Sequence, residues 1–347
     1  MKRVALVSCL FLLIGCSLNP VITSPKSFAT SVSQADIFAA NQRLTRTVNL
    51  GNALEAPYEG EWGVTLQEEY FQTIANAGFT AVRVPIRFSA HADEKPPYTL
   101  NSVFLARVDW AVQNAIKNGL VAILDMHHYL EIFDDPASHR GRFIALWQQI
   151  AGHYQGYPDS RVYFELLNEP NGNLDAAKWN DLLAETLAVV RQSNPTRPVI
   201  IGTTNWGGAD GLSFLQLPND PNLIVTFHYY LPFEFTHQGA EWVDGSDAWF
   251  GTTWDGTLDQ VTTIANDFDS VSAWAAENNR PIFLGEFGAY SKGDQASRVR
   301  WTTAVRQAAE ERSFSWGYWE FCSGFGVYDP VVNRWREDLL QALIPTP

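Results

Sequence analysis

The sequence predicts a single (β/α)8 TIM barrel. Short apolar runs rich in β-forming residues recur eight times along the chain. Stretches with helical periodicity separate most of them. Nearly every run is closed by polar or charged residues, and the C-terminal ends of the strands are where this fold keeps its chemistry. The runs are continuous rather than alternating, as expected of parallel strands covered on both faces.

In chain order, residues 47–50 form the first strand and 66–77 the helix after it. Strand 81–86 and helix 103–118 follow, then strand 121–126 and helix 143–153. Strand 162–167 leads to helix 176–192, and strand 199–201 is followed by strand 223–227. Helix 258–277, strand 282–285, helix 296–311 and strand 314–319 complete the series. A long polar and aromatic loop, from Tyr229 to about Gly256, follows the sixth strand and is expected to wall the site. A doubly wound sheet is the competing architecture. It needs a glycine-rich phosphate loop after the first strand, and the residues there do not form one. The 347 residues suit one such barrel, with no domain boundary after about residue 35.

Composition narrows the function. Apolar residues make up 46% of the chain, enough for a full core. A formal net charge of −14 argues against nucleic acid or an anionic membrane surface as partner. The chain holds 13 Trp, 12 Tyr and 21 Phe. Core packing accounts for most of the Phe. A buried Trp needs a partner for its N–H, so a large Trp complement also fits a groove that stacks the flat apolar faces of sugar rings.

The N-terminus reads as a targeting segment. Lys2 and Arg3 precede an apolar run from Val4 to Ile14, too short to span a bilayer. Leu13-Ile14-Gly15-Cys16 resembles a bacterial lipobox, in which the cysteine is acylated after cleavage before it. Residues 1–15 are therefore expected to be a lipoprotein-type signal peptide and 16–35 a flexible tether rich in Ser, Thr and Pro. The catalytic domain is expected at 36–347. The protein is expected to be exported and to meet a membrane only through this anchor. Removing Cys9 with the signal and acylating Cys16 would leave Cys322 alone, so neither a disulfide nor a cysteine metal site is expected.

Two segments suggest the reaction. Phe164-Glu165-Leu166-Leu167-Asn168-Glu169-Pro170 reads as a buried strand that ends in an amide and an acid. Ile282-Phe283-Leu284-Gly285-Glu286-Phe287-Gly288 has the same form. Two strands that each deliver a carboxylate to one barrel face give the pair most glycoside hydrolases need across the scissile bond. Arg83 and Tyr230 are candidates to hold Glu286 ionised. His127 and His128 would face opposite ways on a regular strand, but the strand ends there, and both are assigned to the site. Trp206 after the fifth strand and Trp242 in the long loop are candidates to line neighbouring sugar subsites. A zinc site of His127, His128 and His228 is disfavoured, because the ligand spacing is wrong and Arg83 is near.

These motifs resemble glycoside hydrolase family 5. The resemblance rests on NEP after strand four, GEFG after strand seven, His-Tyr-Tyr after strand six and the arginine of VRVPI. GNALEAPYEGEWG, DMHHY, FHYYLPFEFTHQGAEW and YWEFCSGFGVYD resemble the endoglucanases of that family. The resemblance implies Glu169 as acid/base and Glu286 as nucleophile in a retaining double displacement. It implies that Asn168 binds the 2-hydroxyl of the sugar being cleaved, that His228 supports the acid/base and that Trp319 lies under the cleaved sugar. Asn52 and Glu55 would bond hydroxyls on the non-reducing side, while Glu320 is expected to be structural or a distal contact. The expectation is an endo-β-1,4-glucanase that acts as a monomer without cofactor or metal. Mannan, xyloglucan and mixed-linkage glucan are alternative substrates, and a non-catalytic glycan-binding lipoprotein is the alternative class.

Overall fold

The computed structural model describes residues 34–346. The expected signal peptide, the Cys16 acylation site and all but the last two residues of the tether lie outside the described residues.

Eight parallel strands close into a barrel: β1 (Thr47–Asn49), β2 (Ala81–Ile86), β3 (Val121–Met126), β4 (Val162–Glu165), β5 (Val199–Gly202), β6 (Leu223–Tyr229), β7 (Ile282–Phe287) and β8 (Ser315–Tyr318). β8 pairs with β1 to complete the circle. The helices are α1 (Gln34–Gln42), α2 (Glu68–Asn76), α3 (Ser102–Lys117), α4 (Leu130–Asp134), α5 (Pro136–Tyr154), α6 (Ala176–Ser193), α7 (Phe233–Thr236), α8 (Leu258–Asn278), α9 (Gln295–Glu311) and α10 (Glu337–Leu343). Local chemistry sets several helix starts. Asn101, Asp135, Asp175 and Asp294 accept bonds from first-turn N–H groups, and Thr257 with Gln260 forms a capping box. Between β5 and β6 the expected gap holds a short 3₁₀ helix, Ala209–Phe214.

The core has two parts. Outside the barrel, strand side chains pack against the helices, and buried tryptophans find backbone acceptors. Trp147 donates to Leu166 O at 2.9 Å, Trp179 to Gly202 O at 2.9 Å and Trp301 to Leu231 O at 3.0 Å. Inside the barrel, Ala81, Val121, Ile123, Tyr163, Ile200, Ile224 and Phe283 form an apolar floor. Ile37, Ala40 and Leu44 of α1 and the turn after it pack against that floor. Asn41 ties α1 down, donating to Ile282 O at 2.9 Å and accepting from Ser315 Oγ at 2.7 Å. The lower end of the barrel is thus plugged, and the open end is left for chemistry.

Candidate active site

Above the apolar floor the barrel interior becomes charged. Asn49, Arg83, Asp125 and Glu165 are fully buried on β1 to β4. Parallel pairing sets Asn49 beside Arg83 and Asp125 beside Glu165. The Arg83 guanidinium is shared among them. It meets Glu165 through two bonds of 2.8 Å, Asn49 Oδ1 at 3.0 Å and Asp125 Oδ2 at 3.0 Å. It also reaches Glu286 Oε1 at 2.6 Å and Asn168 Oδ1 at 2.8 Å. A buried cation of this kind persists only when its donors are satisfied, and every Arg83 nitrogen has a carboxylate partner or an amide. The sequence reading did not assign Asn49, Asp125 or Glu165 to the site. Their signal was a polar or charged residue inside an apolar strand, which by itself does not say which way the side chain faces.

Glu286 and Glu169 stand together over this layer. Tyr230 donates to Glu286 Oε2 at 2.9 Å. His228 Nδ1 is 2.7 Å from Glu169 Oε1 and 3.6 Å from Glu286 Oε2. One oxygen of each carboxylate and a His228 ring nitrogen all lie within 4.8 Å of one another. A register shift between Phe227 and His228 sets His228 opposite Glu286. Gly285 permits this: a Cβ there would sit 2.5 Å from Thr226 Oγ1 and 3.0 Å from His228 Nε2. The three side chains also have the spacing of a metal site, but Arg83 already provides the positive charge that Glu286 faces.

The two carboxylates feel opposite effects. Burial works against ionising Glu286, but His228 and Arg83, helped by the Tyr230 hydroxyl, hold its carboxyl down at about 2. Burial raises Glu169, and the Glu286 charge adds to that, while the bond from His228 opposes it. Burial lowers His228, yet Glu286 and Glu169 together carry it above its ordinary value. His127 and His128 are both lowered to about 3 by burial, with Arg83 adding to the effect on His127 and His127 to that on His128, so their rings are neutral.

Backbone shape brings several expected residues into the cleft. Asn52, His128, Glu169 and Trp206 all have left-handed backbone, with φ of 63°, 51°, 46° and 60°. This conformation is rare for side-chain-bearing residues and breaks strand alternation at the strand ends. It explains how His127 and His128 come to stack, 4.7 Å apart at 17°. His127 in turn stacks on Trp319, 5.7 Å away at 10°, and bonds Asp125 through Nδ1. Asn168 uses Oδ1 on Arg83, so its N–H groups are what it can offer a ligand. Trp206 is 66% exposed and lines an open pocket of about 550 Å³ with Asn171, Thr204 and Phe214. Trp242 is 60% exposed and rests edge-on against Tyr290 at 4.9 Å.

One expectation changes and another is narrowed. Glu55 was expected to meet substrate hydroxyls. It is instead buried, with its carboxylate accepting from the N–H groups of Asn52 and Ala53, so it shapes the turn that presents Asn52. Glu320 has the structural of its two expected roles: it is fully buried and accepts from the N–H groups of Cys322, Ser323 and Phe325. His237 escaped the sequence reading. It lies 5.0 Å from the Tyr230 ring and is lowered to about 4 by burial.

The family model for cellulases of glycosyl hydrolase family 5 matches residues 45–324. The chain belongs to glycosyl hydrolase family 5. Endoglucanase H of Acetivibrio thermocellus is 37% identical over 331 residues, 94% of this chain and 35% of that protein. The family 5 chain thus spans about a third of that relative's length. The structure of Thermotoga maritima Cel5A in complex with cellobiose superposes with a TM-score of 0.88 at 50% identity, covering 89% of this chain and 100% of that one. The same enzyme with mannotriose superposes at 0.87, also at 50% identity, with the same coverage. The family assignment agrees with the resemblance drawn from the NEP and GEFG motifs, and both motifs fall inside the matched span.

Proposed function

We propose that this family 5 chain is a retaining endo-β-1,4-glucanase that acts as a monomer. The observation that carries the proposal is the close approach of the two carboxylates, with oxygens within 4.8 Å. Retaining glycosidases hold their carboxyls about 5–5.5 Å apart, and inverting ones keep them farther apart to admit a water. Glu286 is held ionised and is the nucleophile. It attacks the anomeric carbon while the bond to the leaving oxygen breaks, and Glu169 gives its proton to that oxygen. The product is a glycosyl ester on Glu286. Water then attacks the same carbon, Glu169 takes its proton, and the Glu286 carboxylate is released. Arg83 and Tyr230 stabilise Glu286 as a charged leaving group in this second step.

The substrate reading is cellulose-type glucan. The exposed Trp206 and Trp242 and the half-buried Trp319 suit stacking on sugar faces, with Asn168 and Asn52 directed at hydroxyls. A second reading, tolerance for mannan or glucomannan, is favoured by the mannotriose complex of the half-identical Cel5A. The N-terminal pattern further supports export and acylation at Cys16.

The experiment is reducing-sugar release from carboxymethylcellulose, barley β-glucan, xyloglucan and glucomannan by the full chain, with Glu286→Gln as control. Activity on the glucans that disappears in the variant is the expected result. Activity on glucomannan alone would replace the substrate reading. Binding without hydrolysis would replace the enzyme by a glycan-binding protein. The same assay on cell fractions should place activity with the membrane and shift it to the soluble fraction in Cys16→Ser.

A further inference from the structure

Arg87 stands at the mouth of the barrel with its charge unpaired. One residue past β2, it keeps the inward parity of Ala81 in the floor and Arg83 in the charged layer. Its backbone N–H donates to Leu54 O at 3.0 Å, which fixes it beside the turn that presents Asn52. The side chain is half-buried, and Nε is sealed from solvent without a partner. Among the described residues, no side-chain hydrogen bond or ion pair reaches the terminal nitrogens either. Arg83, on the same strand, has every nitrogen paired. An arginine keeps its proton in proteins, so Arg87 cannot escape its charge by losing one. A half-buried charge with no counter-charge is costly to hold.

The surroundings add no anion. Burial lowers both His91 and His128. Arg87 adds to the effect on His91 and, after His127, to that on His128. The guanidinium is therefore close to both rings. His91 is stacked on Phe104 at 3.6 Å, and its Nε2 is also buried without a partner. His128 is stacked on His127 inside the cleft. Arg87 thus feels a packed ring behind it and a substrate-facing ring beside it. Its two terminal nitrogens form a fork whose spacing suits the two oxygens of a carboxylate. A neutral hydroxyl can accept one bond from that fork but cannot offset its charge. In a chain with net charge −14, such a free cation in a cleft attracts anions locally.

We propose that Arg87 forms an acid-reading subsite that takes the carboxylate of a uronate residue in a β-1,4-linked chain. The proposal rests on the glycosidase reading above and adds acidic β-glycans to its substrates. The carboxylate takes the Arg87 fork, and the rest of the chain lies along the cleft past His128.

The test uses soluble β-1,4-glucan oligosaccharides with some C6 hydroxyls oxidised to carboxylates, and the same oligosaccharides after those carboxyls are reduced. The two differ only in charge at C6. They are compared at neutral pH on the full chain and its Arg87→Gln and Arg87→Lys variants. The ratio of kcat/KM, acidic over neutral, should fall about ten-fold in Arg87→Gln and partly recover in Arg87→Lys. Added sodium chloride should lower the ratio in the parent chain and leave it flat in Arg87→Gln. An unchanged ratio in Arg87→Gln would overturn the proposal. So would an equal loss on both substrates, because Arg87 would then serve the fold or neutral hydroxyls. Should Arg87→Gln fail to fold, the parent chain decides: a ratio indifferent to salt, or cleavage of the neutral form alone, overturns the proposal. Hydrolysis of the neutral form by the parent chain reports on the glycosidase reading separately.

Discussion

Glu169 and Glu286 show how one small space can give two identical side chains different tasks. Burial penalises both charges. Glu286 is compensated by Arg83 at 2.6 Å, Tyr230 at 2.9 Å and His228, and falls to about 2. For Glu169, burial and the Glu286 charge outweigh the help of His228 and the more weakly felt Arg83, so it rises. The signs fix the pH profile. Glu286 is ionised at all pH values above about 2, so its protonation limits the rate only in strong acid. Glu169 holds its proton to a pH above the usual carboxylate range, and its loss limits the rate on the alkaline side. Glu169→Ala should therefore slow cello-oligosaccharide hydrolysis by about 10²–10⁴-fold and remove the alkaline limb. The first step on an activated aryl cellobioside should suffer far less, and added azide should restore turnover. Equal losses on both substrates with no azide effect would show that Glu169 is not the acid/base. The pair was legible in the sequence because each acid closes an apolar strand beside a proline or glycine. Asp125 and Glu165 were not, because a charge within a strand is read by its partners, and those come from other strands.

At the scale of elements, the loops after β1 and β8 hold the cleft by buried carboxylates. Glu55 fixes the Asn52 turn, and Glu320 gathers three backbone N–H groups after Trp319. Burial pushes Glu55 up to about 8 and Glu320 up to about 7, from an ordinary 4.5, although the backbone bonds oppose the rise. The folded chain then binds protons that the unfolded chain has released. Their contribution to stability is complete below about 4.5 and is lost as pH rises through 7 to 8. The thermal midpoint should fall between pH 5 and pH 9, and Glu55→Gln should flatten that fall; an unchanged slope in the variant would contradict the assignment. Glu55 was misread because a polar residue just past a strand end can turn inward as readily as into the cleft. Element boundaries show a related limit. β2 and β3 match the expected residues end to end, since their apolar runs coincide with ladder pairing. The fourth run extends past β4 because Leu166 and Leu167 are buried without continuing the strand, Leu166 O accepting from Trp147. α1 was missed because it is short and plugs the barrel end, so its apolar residues lack the stripe of a helix lying along a sheet.

Across the whole molecule, the barrel is divided by height. An apolar floor plugged by α1 gives way to the Arg83 network, and the carboxylate pair and the stacked His127 and Trp319 rings sit above that. The barrel class was legible because eight apolar runs separated by helical stretches leave few other architectures, and the face that carries the candidate site was suggested by the polar strand ends. The tightness of the carboxylate pair was not legible. It depends on the shifted pairing of β6 with β7, which sets His228 level with Glu286. The proposed double displacement rests on that closeness, and the stereochemistry of the first product tests it. Proton NMR during hydrolysis of a β-1,4 cello-oligosaccharide by the full chain should show the β-anomer forming first and the α-anomer appearing later by mutarotation. The α-anomer forming first, or no hydrolysis, would contradict the mechanism.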